Sequence, residues 1–256
     1  MPVRAVIFDL DGTLVRTEDL KGLSYARAAV QLRPDLSEDQ VIEAYKEVVG
    51  LPRETVSRAL VEQFQLAETA GKQRETTDAF WEEFAARRLD IYRGFLGDRT
   101  LLKEFECPYN VGLLEDARQR NLNTGLATMS HKNEAFRVLD LLEISSKFDS
   151  IATRDDVLRG KPDPEIYLLS ARRLQTEPAE CLVIEDSPAG IAAALAAGMR
   201  CIAVTTNLTR TRVHESKLLD SSFIVDDPQQ LLTVVGSLID GAEETNRLST
   251  KLFRNV

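Results

Sequence analysis

Five short apolar runs, "AVIFDL", "TGLATM", "CLVIED", "CIAVTT" and "SFIVDD", each lead into an acid or a hydroxyl residue, and none alternates apolar with polar. Alternation is the mark of a strand with one wet face, so these strands must be covered on both sides, which is the condition of a parallel sheet. Helical stretches between the later runs, such as "EIYLLSARRL" and "GIAAALAAG", supply the covering layers. The fold expected is therefore α/β, a doubly wound parallel sheet. A chain of 256 residues with 43% hydrophobic content has enough apolar material for such a core.

The alternation of strand and helix is interrupted between Thr17 and residue 104, a stretch rich in charge and helix formers, as in "LSEDQVIEAYKEVVG" and "TTDAFWEEFAARRLDIY". It reads as a helical domain inserted after the first strand. The sheet domain then comprises residues 1–16 and 105–235, with "KEFECPYN" as the return. Residues 236–256, ending in "GAEETNRLSTKLFRNV", read as a last helix or a tail.

Charge and composition exclude several partners. A formal charge of -9 and a pI near 5.0 provide no basic stripe, so no nucleic-acid partner is expected. No apolar run approaches the roughly 20 residues of a membrane span. Asp9 and Asp11 break the first apolar run, so it does not read as a signal peptide. Cys107, Cys181 and Cys201 are widely spaced among apolar neighbours and read as buried free thiols of a reducing compartment. A cytoplasmic protein, monomer or homodimer, is expected.

In an open parallel sheet ligands bind beyond the carboxyl ends of the strands. Asp9 and Asp11 follow "AVIF", Thr128 and Ser130 follow "TGLA", Glu185 and Asp186 follow "CLVI", and Lys161 stands in the loop "RGKPDP" ahead of a helix. Four carboxylates, two hydroxyls and one lysine thus gather at one edge. Clustered carboxylates repel unless a cation joins them, and an all-oxygen site suits Mg2+. Lys161 offers positive charge, Thr128 a donor and Gly12 room for close backbone approach, a set that suits a phosphoryl group.

In order and spacing, "DLDGT", the Thr128 after its strand, Lys161 in "GKPDP" and "EDSPAG" from Glu185 resemble the four motifs of the haloacid dehalogenase-like hydrolase superfamily. The insertion resembles the small helical cap of the subgroup that holds phosphoglycolate phosphatases and β-phosphoglucomutases. The resemblance implies a Rossmann-like core and a Mg2+-dependent phosphatase acting on a small phosphorylated metabolite. It implies that Asp9 attacks phosphorus and forms an aspartyl phosphate. Asp11 would serve as acid and base and offer its main-chain carbonyl to the metal. Thr128 and Lys161 would hold the phosphoryl oxygens. Asp186 would ligate the metal, with Glu185 as a further ligand or a partner behind it. The "DGT" form of the first motif points away from carbon–halogen cleavage. A phosphomutase and a non-catalytic phosphometabolite-binding protein are the competing readings.

Locally, the same residues have plainer readings. Ser130, counted with Thr128, Lys161 and Gly12 as a phosphate contact, also fits the cap of the helix "HKNEAFRVL", Glu185 and Asp186 could cap the helix near Pro188, and His131 and His214 read as surface residues. For substrate choice, "VVGLPRETV" resembles the cap segment in which a glycine and an arginine face the active site, implicating Gly50 and Arg53. Lys21 stands where the mutase relatives carry a histidine, and Val56 where they carry a polar residue; both changes count against a mutase.

Overall fold

The structure, a computed structural model, describes residues 1–49, 51, 53–69 and 74–240. Gly50, one of the expected specificity residues, lies outside the described residues. The strands are β1 (Ala5–Phe8), β2 (Asn123–Ala127), β3 (Ser150–Ala152), β4 (Cys181–Glu185), β5 (Arg200–Val204) and β6 (Ile224–Val225). They form one parallel sheet in the order β3-β2-β1-β4-β5-β6. Every residue of β1 and of β4 is buried, as their unbroken apolar sequences require. The expected α/β fold is thus the observed one. Only β3 had no counterpart among the five apolar runs, being three residues long.

The chain divides into two compact units, Thr17–Phe105 and the remainder, Met1–Arg16 with the chain from Glu106 onward. The first consists of the helices α1 (Thr17–Leu32), α2 (Glu38–Val48), α3 (Arg53–Gln63), α4 (Leu66–Thr69), α5 (Arg74–Phe95) and α6 (Arg99–Glu104). The α2 helix opens on a reciprocal cap, Ser37 Oγ accepting from Gln40 N and Gln40 Oε1 accepting from Ser37 N. Tyr25, Tyr45, Leu60 and Phe84 belong to this unit's own apolar core.

In the sheet unit, α7 (Pro108–Gln119), α8 (Lys132–Leu141), α9 (Glu165–Arg173), α10 (Pro188–Ala196) and α11 (Arg210–Ser216) connect the strands. Pro108 and Pro188 sit at the starts of α7 and α10, where the missing N–H costs no helical bond. The core gathers Ile7, Val183, Ile166, Tyr167 and Ile191 from β1, β4, α9 and α10. Residues 231–240 are helical, with Leu231, Val235 and Ile239 buried at a spacing of one turn. This helix runs through residue 235, the end given to the sheet domain from sequence, and its apolar face continues past Gly236. Cys181 and Cys201 are buried free thiols, whereas Cys107 is half-buried.

The strand order has one consequence for function. The β2 and β3 strands lie on one side of β1 and β4 to β6 on the other, so chain progression reverses between β1 and β4. The crevice beyond the carboxyl ends of these two strands is the switch point at which such sheets bind ligands.

Candidate active site

Asp9 follows β1 directly and Glu185 ends β4, and the parallel register pairs Phe8 with Ile184, one residue earlier on each strand. Both acids are buried, at 5% and 1% exposure. Between them stands Lys161. Its Nζ donates to Asp9 Oδ1 at 2.6 Å, to Glu185 Oε1 at 2.6 Å and to the Ala127 carbonyl at 3.0 Å. Three donors meet three acceptors, so one ammonium ties the ends of β1, β2 and β4 together. The Tyr167 ring lies against the same ammonium, its centroid 4.9 Å from Nζ.

Glu185 is the most heavily hydrogen-bonded side chain of the site. Its Oε1 also accepts from the Tyr167 hydroxyl at 2.8 Å. Its Oε2 accepts from Asp186 N at 2.9 Å, Ser187 N at 3.0 Å and Ser187 Oγ at 3.0 Å. Burial opposes the charge of this carboxyl, but the Lys161 charge and the donors from Lys161, Ser187 and Tyr167 outweigh it and hold Glu185 below the usual range. The helix cap once open to Glu185 and Asp186 belongs to Ser187, whose Oγ accepts from Gly190 N. Gly190 is there for space, because a Cβ at that position would meet Glu185 Oε1 at 1.7 Å.

The "DGT" turn places the other acids. Gly12 adopts a left-handed φ of +83°, and a Cβ on it would lie 2.0 Å from Asp186 Oδ2. Asp11 Oδ2 accepts from Ser130 Oγ at 2.6 Å and from Thr128 Oγ1 at 3.1 Å, so the β2 end grips the second aspartate. Ser130 is thus not the helix cap expected from its position. His131 occupies the N-cap without a side-chain bond, and Asp155 from another segment accepts from Lys132 N at 2.7 Å in its stead. His131 and His214 lie partly exposed beside Asp155 and Asp226.

The site thus gathers four carboxylates, Asp9, Asp11, Glu185 and Asp186, of which Asp9 and Glu185 bond Lys161. Asp9, Glu185 and Asp186 each offer an oxygen within 4.8 Å of the others, a grouping that could hold a metal ion. An all-oxygen donor set of this charge fits a hard divalent cation. The electrostatics of Asp9 point the same way. Burial, opposed by Lys161 and reinforced by Glu185 and Asp11, pushes its carboxyl up to about 8. A cation beside it would favour the ionised form. Lys161 itself is raised: burial works against its charge, but Asp9 and Glu185 more than compensate.

Of the residues expected from sequence, Asp9, Asp11, Gly12, Thr128, Ser130, Lys161, Glu185 and Asp186 come together here. Arg53 is an exposed residue at the start of α3, and Lys21 donates to Glu18 Oε1 at 2.6 Å within α1. Sequence reasoning missed Tyr167, Ser187 and Gly190. The signal for Tyr167 was a hydroxyl-bearing ring on the buried face of α9, which obliges the hydroxyl to find a partner.

Known proteins share this architecture. A family model for the haloacid dehalogenase-like hydrolases matches residues 3–198. A phosphorylated carbohydrates phosphatase of Thermotoga maritima is 30% identical over 200 residues, 78% of this chain and 84% of the relative. A β-phosphoglucomutase of Bacillus subtilis is 31% identical over 202 residues, covering 79% and 83%. Among solved structures, a candidate β-phosphoglucomutase from Thermotoga maritima superposes with a TM-score of 0.71 at 30% identity, covering 92% of this chain and 99% of that one.

Proposed function

The chain belongs to the haloacid dehalogenase-like hydrolases, and from that premise we propose that it is a Mg2+-dependent phosphatase of small phosphorylated metabolites, acting through an aspartyl phosphate on Asp9. The substrate class is phosphoglycolate or a sugar phosphate, consistent with the phosphatase relative. The observation that carries the reading is the Lys161 ammonium 2.6 Å from Asp9 Oδ1, beside the cluster of Asp9, Glu185 and Asp186 at the sheet's switch point.

Each side chain has a task. Asp9 supplies the attacking oxygen, dividing the displacement into two easier steps. Asp11, aimed by Thr128 and Ser130, donates a proton to the departing oxygen and then takes one from the attacking water. Lys161 and Thr128 stabilise the equatorial oxygens as charge spreads over them. Asp9, Asp186 and the Asp11 carbonyl would hold the metal, while Glu185, with both oxygens already engaged, orients Lys161 and the Asp186–Ser187 turn. When bound, Mg2+ neutralises the carboxylates and draws charge from the phosphoryl oxygens. Substrate selection falls to the helical unit, with Lys21 and Arg53 as contributors. The buried thiols suit a cytoplasmic setting, and among the described residues no helix is long and apolar enough to cross a membrane.

A panel of phosphorylated metabolites assayed with and without Mg2+ tests the reading. Metal-dependent release of inorganic phosphate from at least one is expected, and no release from any, including a generic aryl phosphate, would favour a silent binding protein. The β-phosphoglucomutase relative supports a second reading, in which the phosphoryl group passes to a sugar hydroxyl. Against it, the Lys21 ammonium is paired with Glu18 and is a poor proton relay. With β-glucose 1-phosphate and a bisphosphate primer, glucose 6-phosphate forming faster than free phosphate would establish the mutase.

A further inference from the structure

The turn that carries Asp11 is closed on itself through its N–H groups. Those of Thr13, Leu14 and Val15 all donate to the Leu10 carbonyl, at 3.3, 2.9 and 3.1 Å, and Gly12 N donates to the Val15 carbonyl at 2.7 Å. Two of the turn's carbonyls are instead bonded from the start of α7. Cys107 N donates to Leu14 O at 2.9 Å, and the side-chain amide of Asn110, through Nδ2, donates to Thr13 O at 2.5 Å, 97 residues earlier in the chain.

Helix formation does not account for Asn110. It is the third residue of α7 and only 4% exposed. Asparagine is a weak helix former, and a buried carboxamide costs stability unless it is bonded. A polar side chain at this position serves its own helix by bonding back to the N–H of the capping residue. Here that N–H, of Cys107, goes to Leu14 O, and the Asn110 amide is directed at the turn. The turn has little latitude, because Gly12 packs against Asp186 with no room for a Cβ. A shift of the turn therefore moves Asp11 relative to Asp186 and to the Ser130 and Thr128 hydroxyls that bond its carboxyl.

We propose that Asn110 is a positioning residue: by tying Thr13 O to α7 it fixes the turn on the sheet unit and with it the aim of the Asp11 carboxyl. Its effect on turnover rests on the phosphatase reading; its hold on the turn does not.

Two measurements on the intact protein test it. Asn110→Leu keeps the approximate size of the side chain without its donor, and Asn110→Ala, a good helix former, takes its place should the leucine variant fail to fold. Val235→Ala, which opens a cavity in the helix of residues 231–240, is the control for lost stability alone. Hydrogen exchange followed by mass spectrometry reads the amides of residues 10–15. In the Asn110 variant they should exchange roughly 5- to 30-fold faster than in wild type and in the control, the effect of stranding a buried carbonyl. Turnover with Mg2+ reads Asp11. The kcat on an alkyl phosphate should fall about tenfold and on an aryl phosphate by less than about threefold, because a good leaving group needs little help from a proton. The ratio of the two does not depend on the fraction of protein folded, so lost stability alone leaves it unchanged. Exchange at the turn no faster than in the control, or an alkyl-to-aryl ratio equal to that of wild type, would overturn the proposal. Should wild type release phosphate from no ester, the phosphatase reading falls, and exchange at the turn alone decides whether Asn110 holds it.

Discussion

Replacing Tyr167 with phenylalanine removes one oxygen from the centre of the site and nothing else. The ring is fully buried, and its hydroxyl donates to Glu185 Oε1 at 2.8 Å. A hydrogen bond to a charged group is worth about 1.5–3 kcal/mol. The lower end applies here, because Glu185 keeps Lys161 on Oε1 and three donors on Oε2, so no buried acceptor is stranded. A loss of about 1.5–2 kcal/mol follows, or roughly 3–8 °C in Tm for a protein of this size. Urea and thermal unfolding followed by circular dichroism measure it. Phosphate release should fall by less than about tenfold, since the ring still faces the Lys161 ammonium; Tyr167→Leu, which loses the ring as well, should fall further in both respects. A Tyr167→Phe protein within about 0.5 kcal/mol of wild type would refute the view that this hydroxyl braces Glu185, the threshold being the scatter of ordinary surface substitutions.

Three further perturbations have expected outcomes. Asp11→Asn should slow turnover by about 10² to 10⁴, with the larger deficit on alkyl than on aryl phosphates; equal deficits would argue against proton transfer by Asp11. Asp186→Ala should raise the Mg2+ concentration needed for half-maximal phosphate release at least tenfold, and an unchanged titration would place the ion elsewhere. Asp156, beyond β3, is held at about 2: burial opposes its charge, but bonds from Arg173 and Thr153 prevail. A depressed carboxyl stabilises the fold above its unfolded pKa near 4 and loses that contribution as pH falls toward 2. Asp156→Asn should therefore cost about 1–2 kcal/mol at pH 7, with the gap to wild type closing between about pH 4 and pH 2, and a gap independent of pH would contradict the assignment.

The strands that could be read from sequence are those whose apolar runs last four or five residues, as in β1 and β4. The β3 strand could not, because "SIA" is flanked by Asp149 and Thr153 and offers no run to detect. The acids, Lys161 and the hydroxyls were legible because strand ends in a parallel sheet are forced to one edge. The cap of α8 was not, since Asp155 reaches it from a segment over 20 residues away and leaves Ser130 to bond Asp11. Glu185 was visible as an acid but not as a hub: its five hydrogen bonds depend on Tyr167 from α9, on Lys161 and on the space at Gly190. The apolar face at Leu231, Val235 and Ile239 was present in the sequence, at a spacing of one helical turn.

That Asp9 carries the phosphoryl group is the central claim, and its covalent intermediate can be sought directly. In Asp11→Asn supplied with an aryl phosphate and Mg2+, a good leaving group spares the first step, while loss of the base slows attack by water. Acid quenching after a few seconds, followed by peptide mass mapping, should find the mass of one phosphoryl group on the peptide containing Asp9 and on no other. Steady phosphate release with Asp9 unmodified, or the added mass on a peptide bearing Asp186 or any other residue, would contradict the mechanism.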